Sequence, residues 1–151
     1  MRVVLDTNVL VRAAGRSDSP ARAVFDRLLE PPHDLIVSPF LLDELRRVML
    51  YPRVQQMHGL SPEQIEQHVQ DVAKGAELVD LPALLTPAVP HDPDDDPIVA
   101  TAVYGQSNVL CTRDQHLRRP SVEGYCAQFH IRILTDVELL NELRQFDQPS
   151  P

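Results

Sequence analysis

The sequence predicts an α/β fold, a parallel sheet of about five strands with helices on both faces. Three observations carry this. Five short apolar, β-branched runs alternate along the chain with longer segments whose apolar residues recur at helical spacing. The runs give way abruptly to polar residues suited to starting a helix, so the repeating unit is strand–turn–helix rather than hairpin. Right-handed crossovers between such units align the strands and bring all their C-terminal ends to one edge.

Arg2 to Leu5 reads as a buried central strand closed by Asp6-Thr7-Asn8, and Val9 to Ala14 as a short helix broken near Gly15. Ser19-Pro20 supplies an N-cap and a first helical residue. Ala21, Val24, Phe25, Leu28 and Leu29 form the inward stripe of that helix, and Pro31-Pro32 stop it. Asp34 to Val37 is the second strand. Ser38-Pro39 repeats the capping signal and launches a helix to about Tyr51, with Leu41, Leu42, Leu45, Val48 and Met49 inward and Glu44 off the centre of the stripe. Arg53 to Gly59 reads as no more than an irregular turn of helix, with an exposed flank over 53–60 that is a plausible partner surface. Ser61-Pro62-Glu63-Gln64 is a capping box opening a helix to about Gly75. Ala76 to Leu81 suits a third strand.

Pro82, Pro87, Pro90 and Pro93 exclude regular structure from the connection that follows. It leads into His91-Asp92-Pro93-Asp94-Asp95-Asp96-Pro97 and then a buried helix through Ile98, Val99, Ala102 and Val103, ending near Gly105. Asn108 to Cys111 is the fourth strand, closed by Thr112-Arg113-Asp114. Leu117 and the Arg118-Arg119-Pro120 break suggest only a short helix or turn. Ile131 to Leu134 is the last strand, and Thr135-Asp136-Val137-Glu138 is a second capping box. It opens an amphipathic helix carrying Leu139, Leu140, Leu143 and Phe146. Residues 1–146 read as one domain and 147–151 as a frayed tail.

A chain of 151 residues, 43% apolar and 24% charged, has the composition of an ordinary globular domain. No apolar run approaches the ~20 residues that span a bilayer, and no basic-then-apolar leader opens the chain. A cytoplasmic location without membrane attachment is the expectation. Cys111 and Cys126 fit no metal spacing and read as reduced core thiols. The net charge of −8 excludes simple electrostatic adhesion to nucleic acid. All but one of the 14 basic residues are nevertheless Arg, the exception being Lys74, and Arg suits bidentate contact with phosphate.

The acids explain the charge better than a solvated surface does. Asp6 follows the first strand, Glu44 lies in the first turns after the second, Asp94-Asp95-Asp96 opens the helix before the fourth, and Asp114 follows the fourth. Singly, Asp6, Asp96 and Asp114 can be read as helix caps and Glu44 as a surface charge. Together they fall on one edge of the inferred sheet. Carboxylates gathered there repel one another and raise each other's pKa values, and divalent cations relieve the repulsion. All-oxygen donors without an aligned His or Cys set select a hard ion, Mg²⁺ or Mn²⁺.

These stretches, Val-Val-Leu-Asp-Thr-Asn-Val-Leu at 3–10, Ser38 with Asp43-Glu44-Leu45, Asp-Pro-Asp-Asp-Asp-Pro at 92–97 with Ala100 and Ala102, and Val-Leu-Cys-Thr-Arg-Asp at 109–114, resemble the PIN-domain nucleases. Within that family the branch resembled is the toxin components of toxin–antitoxin pairs. The resemblance covers the chain up to its last helix and rests on the order and spacing of the motifs together. It implies a three-layer α/β/α fold and metal-dependent endoribonuclease activity on an RNA substrate. It further implies a homodimer and inhibition by a small antitoxin. Asp6, Glu44 and Asp114 match the family's acids. Counting back from Ala102 favours Asp95 as the remaining one, whereas the helix start at Pro97 favours Asp96. Asn8 and Thr112 match polar positions implied to orient Asp6 and the attacking water. Arg12, Arg16, Arg46, Arg47, Arg113, Arg118 and Arg119 lie near the same edge as candidates for positioning RNA.

Rival chemistries fit less well. A haloacid-dehalogenase-like phosphatase needs a second Asp two residues after the first, where this chain has Asn8. A phosphoacceptor receiver needs a Lys at a late strand end, and Lys74 lies in a mid-chain helix. The alternatives that stay open are a PIN-fold module that binds RNA or protein without cutting and a housekeeping RNA-processing nuclease.

Overall fold

The strand β1 (Arg2–Leu5) runs through the middle of the sheet, and the chain folds outward from it on both sides. The computed structural model describes residues 1–15, 18–89 and 92–149. Beside β1 lie β2 (Asp34–Val37) and β4 (Val109–Cys111), with β3 (Ala76–Leu78) and β5 (Arg132–Leu134) at the edges. The order is β3-β2-β1-β4-β5, and every neighbouring pair is parallel. Val3, Val4 and Leu5 are fully buried, as a strand covered on both faces requires. The predicted parallel sheet and its single C-terminal edge are therefore observed.

Eight α-helices flank the sheet among the described residues: α1 (Thr7–Ala13), α2 (Pro20–Leu28), α3 (Pro39–Met49), α4 (Pro52–His58), α5 (Pro62–Gly75), α6 (Asp96–Tyr104), α7 (Pro120–Ala127) and α8 (Asp136–Phe146). The helices leading from β1 towards β3 pack on one another, α1 on α2 and α3 and α3 on α5, and α8, which follows the edge strand β5, packs on α2. Connections running the opposite way put α6 and α7 on the other face, with α6 lying across β1, β2 and β4. The local signals close as expected. Ser19 and Ser38 cap α2 and α3 with Pro at the first helical position, and both capping boxes form reciprocally at α5 and α8.

Four local expectations change. The segment from Pro52 is a regular two-turn helix, preset by Pro52 and closed by Gly59 in the left-handed region at φ 67°. It buries no residue fully, so it has no apolar stripe to announce it. The helix α7 also exceeds the turn expected there. Its cap residue, Arg119, makes no side-chain capping bond and only Val122 and Cys126 are buried, while Pro120 begins the helix instead of breaking it. At the sheet edge β3 stops at Leu78, although the Val79 N–H still donates to the Val37 carbonyl. Asp147, expected in the tail, accepts from Arg27 Nη1 at 2.7 Å and bonds His33 Nε2 at 2.9 Å. Arg16, Pro90, His91 and the last two residues of the tail lie outside the described residues. Cys111 and Cys126 are buried free thiols. No helix among the described residues is long and apolar enough to cross a membrane.

Candidate active site

The connection leaving β1 runs over one face of the sheet and the one entering the adjacent β4 over the other. A crevice therefore opens beyond the carboxyl ends of these two strands, the switch point where ligands bind in open α/β sheets. Asp6 and Thr112 stand one residue past the two strand ends. The Asp6 N–H donates to the Cys111 carbonyl at 2.9 Å, so strand pairing continues into the site. Asp6 is almost fully buried. Its Oδ1 accepts from the Thr7 N–H and caps α1, and its Oδ2 accepts from the Thr112 hydroxyl, both at 2.7 Å. Thr112 Oγ1 in turn accepts from the Asp114 N–H at 3.0 Å, and Asp114 Oδ1 accepts from the His116 N–H at 2.9 Å. One chain of bonds thus fixes Asp6, Thr112 and Asp114 relative to the sheet. The cap reading and the crevice reading of Asp6 hold at once.

Glu44 reaches the same crevice from α3. The Thr7 hydroxyl lies close enough to favour its ionised form, yet no properly aligned hydrogen bond closes between them, and Thr7 Oγ1 and Glu44 Oε2 both end buried and without a partner among the described residues. Asp95 enters from the last residue of a 3-10 turn, Pro93–Asp95, that feeds α6. Its carboxyl comes within hydrogen-bonding reach of Asp114, and its Oδ2 is likewise buried with no partner among the described residues.

Burial and like charge act on all three. Burial first, then Glu44 and Asp114, push Asp6 up to about 6 against the bonds from Thr112 and Thr7. Glu44 is raised by burial and, more weakly, by Asp92 and Asp94, with Thr7 and Arg47 opposing. Asp95 is pushed up to about 8 by burial and by Asp92, Asp114 and Asp6. Four of the expected acids, Asp6, Glu44, Asp95 and Asp114, therefore share one crevice.

The remaining candidates separate. Asp96 Oδ1 accepts from the Ala88 and Val89 N–H groups at 2.8 and 2.7 Å, pinning the proline-rich connection against the start of α6. Of the two neighbours that spacing left open, Asp95 belongs to the crevice and Asp96 to the loop. Asn8 is exposed in the first turn of α1. Thr7 and Asp92 are near the acids without having been singled out. Thr7 lay inside the Asp6-Thr7-Asn8 motif, and nothing distinguished Asp92 within its acidic run.

The arginines also divide. Arg46 is held by Glu66 and Asp43, Arg118 by Glu138, and Arg113 stands 3.9 Å from the buried Asp136. Among the described residues Arg12, Arg47 and Arg119 form no ion pair, and all three are exposed.

Among the described residues no three acidic, His or Cys side chains form a ready-made metal cage. The donors still fit a hard divalent ion. They are all oxygens, two of them buried with no partner among the described residues, and Mg²⁺ keeps several waters and takes only one or two carboxylates directly.

Comparison with known proteins adds to this geometry. The model of a family described as "PIN domain" matches residues 2–116, a span that holds all four crevice acids and ends two residues after Asp114. Among solved structures, the fold is similar to that titled "Crystal structure of PAE2754 from Pyrobaculum aerophilum", with a TM-score of 0.65 and 14% identity over 96% of this chain and 90% of that one. At that identity the likeness speaks for the fold. No protein with a curated description matches.

Proposed function

The chain belongs to the PIN domain family, and from that premise we propose that it is an endoribonuclease that hydrolyses RNA phosphodiester bonds with Mg²⁺ or Mn²⁺. The observation that carries the proposal is the pair of buried, unpartnered carboxylate oxygens on Glu44 and Asp95, set with Asp6 and Asp114 at the switch point. Asp6, Glu44, Asp95 and Asp114 would hold the cation. When bound, it supplies Lewis acidity at the phosphate and neutralises charge on the leaving oxygen. Thr112 and the Thr7 N–H fix the Asp6 carboxylate from two sides, so it does not reorganise as charge develops. The low-dielectric floor formed by Leu5, Leu110 and Cys111 strengthens each of these interactions. The physiological role in this reading is the toxin of a toxin–antitoxin pair, working as a homodimer and silenced by a small antitoxin.

Cleavage of a panel of single-stranded and structured RNAs under Mn²⁺, Mg²⁺ and EDTA tests the reading. Cutting that either ion supports and EDTA stops is the expected result. No cutting, with no heat of Mn²⁺ binding in a calorimeter, would overturn it.

Cation binding is expected to compete with protons. Burial and the neighbouring carboxylates push Asp95 up to about 8, so below that pH Mn²⁺ affinity should fall, by up to about tenfold per pH unit, and binding should release a proton. Titrations between pH 6 and 8 in buffers of different ionisation enthalpy measure both. An affinity flat across that range would show that Asp95 is not displaced from its proton by the ion.

Arg47 is the arginine best placed for the substrate. It is exposed, lies one turn beyond Glu44 on α3, and acts electrostatically on that carboxylate without an ion pair of its own among the described residues. Arg47→Ala is expected to raise KM for RNA by about tenfold, with kcat within about twofold, as loss of one phosphate contact would. Steady-state kinetics on a short RNA would settle it, an unchanged KM removing Arg47 from the interface.

A further inference from the structure

Ser38 and Thr101 are both fully buried, and their hydroxyl oxygens are 2.8 Å apart. The direction of that bond follows from their other partners. Thr101 Oγ1 lies 2.7 Å from the Pro97 carbonyl, which can only accept, so the Thr101 proton is committed there. Ser38 must therefore donate to Thr101, while its own oxygen accepts the Leu41 N–H at 3.3 Å. The result is a one-way relay from the first turn of α3, through both hydroxyls, to the first turn of α6. It joins two helices on opposite faces of the sheet at the edge where the acids stand, and these helices touch directly there.

Glu44 lies six residues after Ser38, and Asp95 lies six residues before Thr101. Among the described residues neither acid has a bond that fixes its separation from the other, and Glu44 Oε2 and Asp95 Oδ2 have no partner there. The polar groups of the relay are all satisfied, and they lie between the two helices. A buried Thr in the apolar α6 costs desolvation that a Val of the same shape would not. We propose that Ser38 and Thr101 form a strut that holds α3 and α6 at the separation Glu44 and Asp95 need to share one divalent cation. Both are positioning residues and neither touches substrate. This rests on the cation-dependent reading above and adds to it the two side chains that set the site's width.

Thr101→Val tests the strut with the least change of shape, because it leaves the Ser38 hydroxyl without its acceptor. Mn²⁺ affinity is measured calorimetrically on the full chain, alongside circular dichroism and thermal melts. The expected result is a folded protein that binds Mn²⁺ on the order of tenfold or more weakly, as when a group that orients a ligand is lost. kcat should fall with KM for RNA unchanged, and Thr101→Ser should restore both. Should Thr101→Val fail to fold, Ser38→Gly removes the same bond from the other side while keeping a residue tolerated at an N-cap, and the same loss of affinity is expected. Unchanged Mn²⁺ affinity in a folded variant overturns the strut and leaves the nuclease reading standing. No Mn²⁺ binding by the wild type overturns both.

Discussion

Asp6→Asn is expected to abolish RNA cleavage and raise thermal stability in the same molecule. The carboxylate is buried in the crevice, and it is the acid that the sheet itself delivers. Removing its charge should cost on the order of 10³-fold in kcat/KM, about 4 kcal/mol of transition-state stabilisation. Stability moves the other way because the folded protein resists ionising this group. The shift from 3.8 to about 6 corresponds to about 3 kcal/mol of preference for the proton. A raised carboxyl pKa contributes stability that is complete below the unfolded value and disappears as pH climbs through the folded one. Wild type therefore carries this penalty in full above about pH 6, and the Asp6→Asn variant does not.

Part of that gain is offset. The carbonyl oxygen of the introduced amide can still accept from the Thr7 N–H. Its NH₂ group, however, would face a Thr112 hydroxyl that already accepts from the Asp114 N–H, so the Thr112 proton must find another acceptor. A net gain on the order of 1–2 kcal/mol at pH 7.5 remains; near pH 4, where the wild type keeps its proton, only the lost bonding is left and the sign reverses, the variant being less stable by about 1 kcal/mol. Melts of both proteins across pH 4 to 8, beside the RNA assay, measure the two effects. A variant that cuts RNA as the wild type does would remove Asp6 from the chemistry. One less stable at pH 7.5 would show that its charge is already compensated.

The second large contrast is between adjacent residues. Asp95→Asn is expected to lower cleavage by about 10²-fold to 10³-fold and to weaken Mn²⁺ strongly, with α6 intact, since Asp95 makes no side-chain capping bond. Asp96→Ala should do the reverse. It strands two backbone N–H groups, those of Ala88 and Val89, both on nearly buried residues. The expected cost is about 2–4 kcal/mol of stability, with Mn²⁺ affinity reduced far less than in Asp95→Asn. Denaturant melts and calorimetry on the two variants decide the pair. Greater loss of Mn²⁺ affinity from Asp96→Ala would exchange their assignments.

Much of this molecule was legible without coordinates, for a physical reason. Strand periodicity, Ser-Pro caps and capping boxes are interactions between residues a few positions apart, so the chain states them locally. That is how β1, β2, α2, α3, α5 and α8 could be bounded to within a residue or two, and how right-handed crossover placed Asp6, Glu44 and Asp114 on one edge. Local signals failed where the elements lacked them, in α4 with no buried stripe and α7 with no capping side chain. What only the tertiary structure decided is whatever depends on partners distant in sequence. The strand order put the switch point between β1 and β4. The two N–H groups at 88 and 89 claimed Asp96 and left Asp95 to the crevice. Glu66, Asp43 and Glu138 occupied Arg46 and Arg118, while among the described residues Arg47 stayed without an ion pair. Thr101, unremarkable in an apolar helix, acquired its meaning from Ser38, sixty-three positions away. Residue type and spacing determine which groups can do chemistry, and long-range contacts determine which of them are left with nothing else to bind.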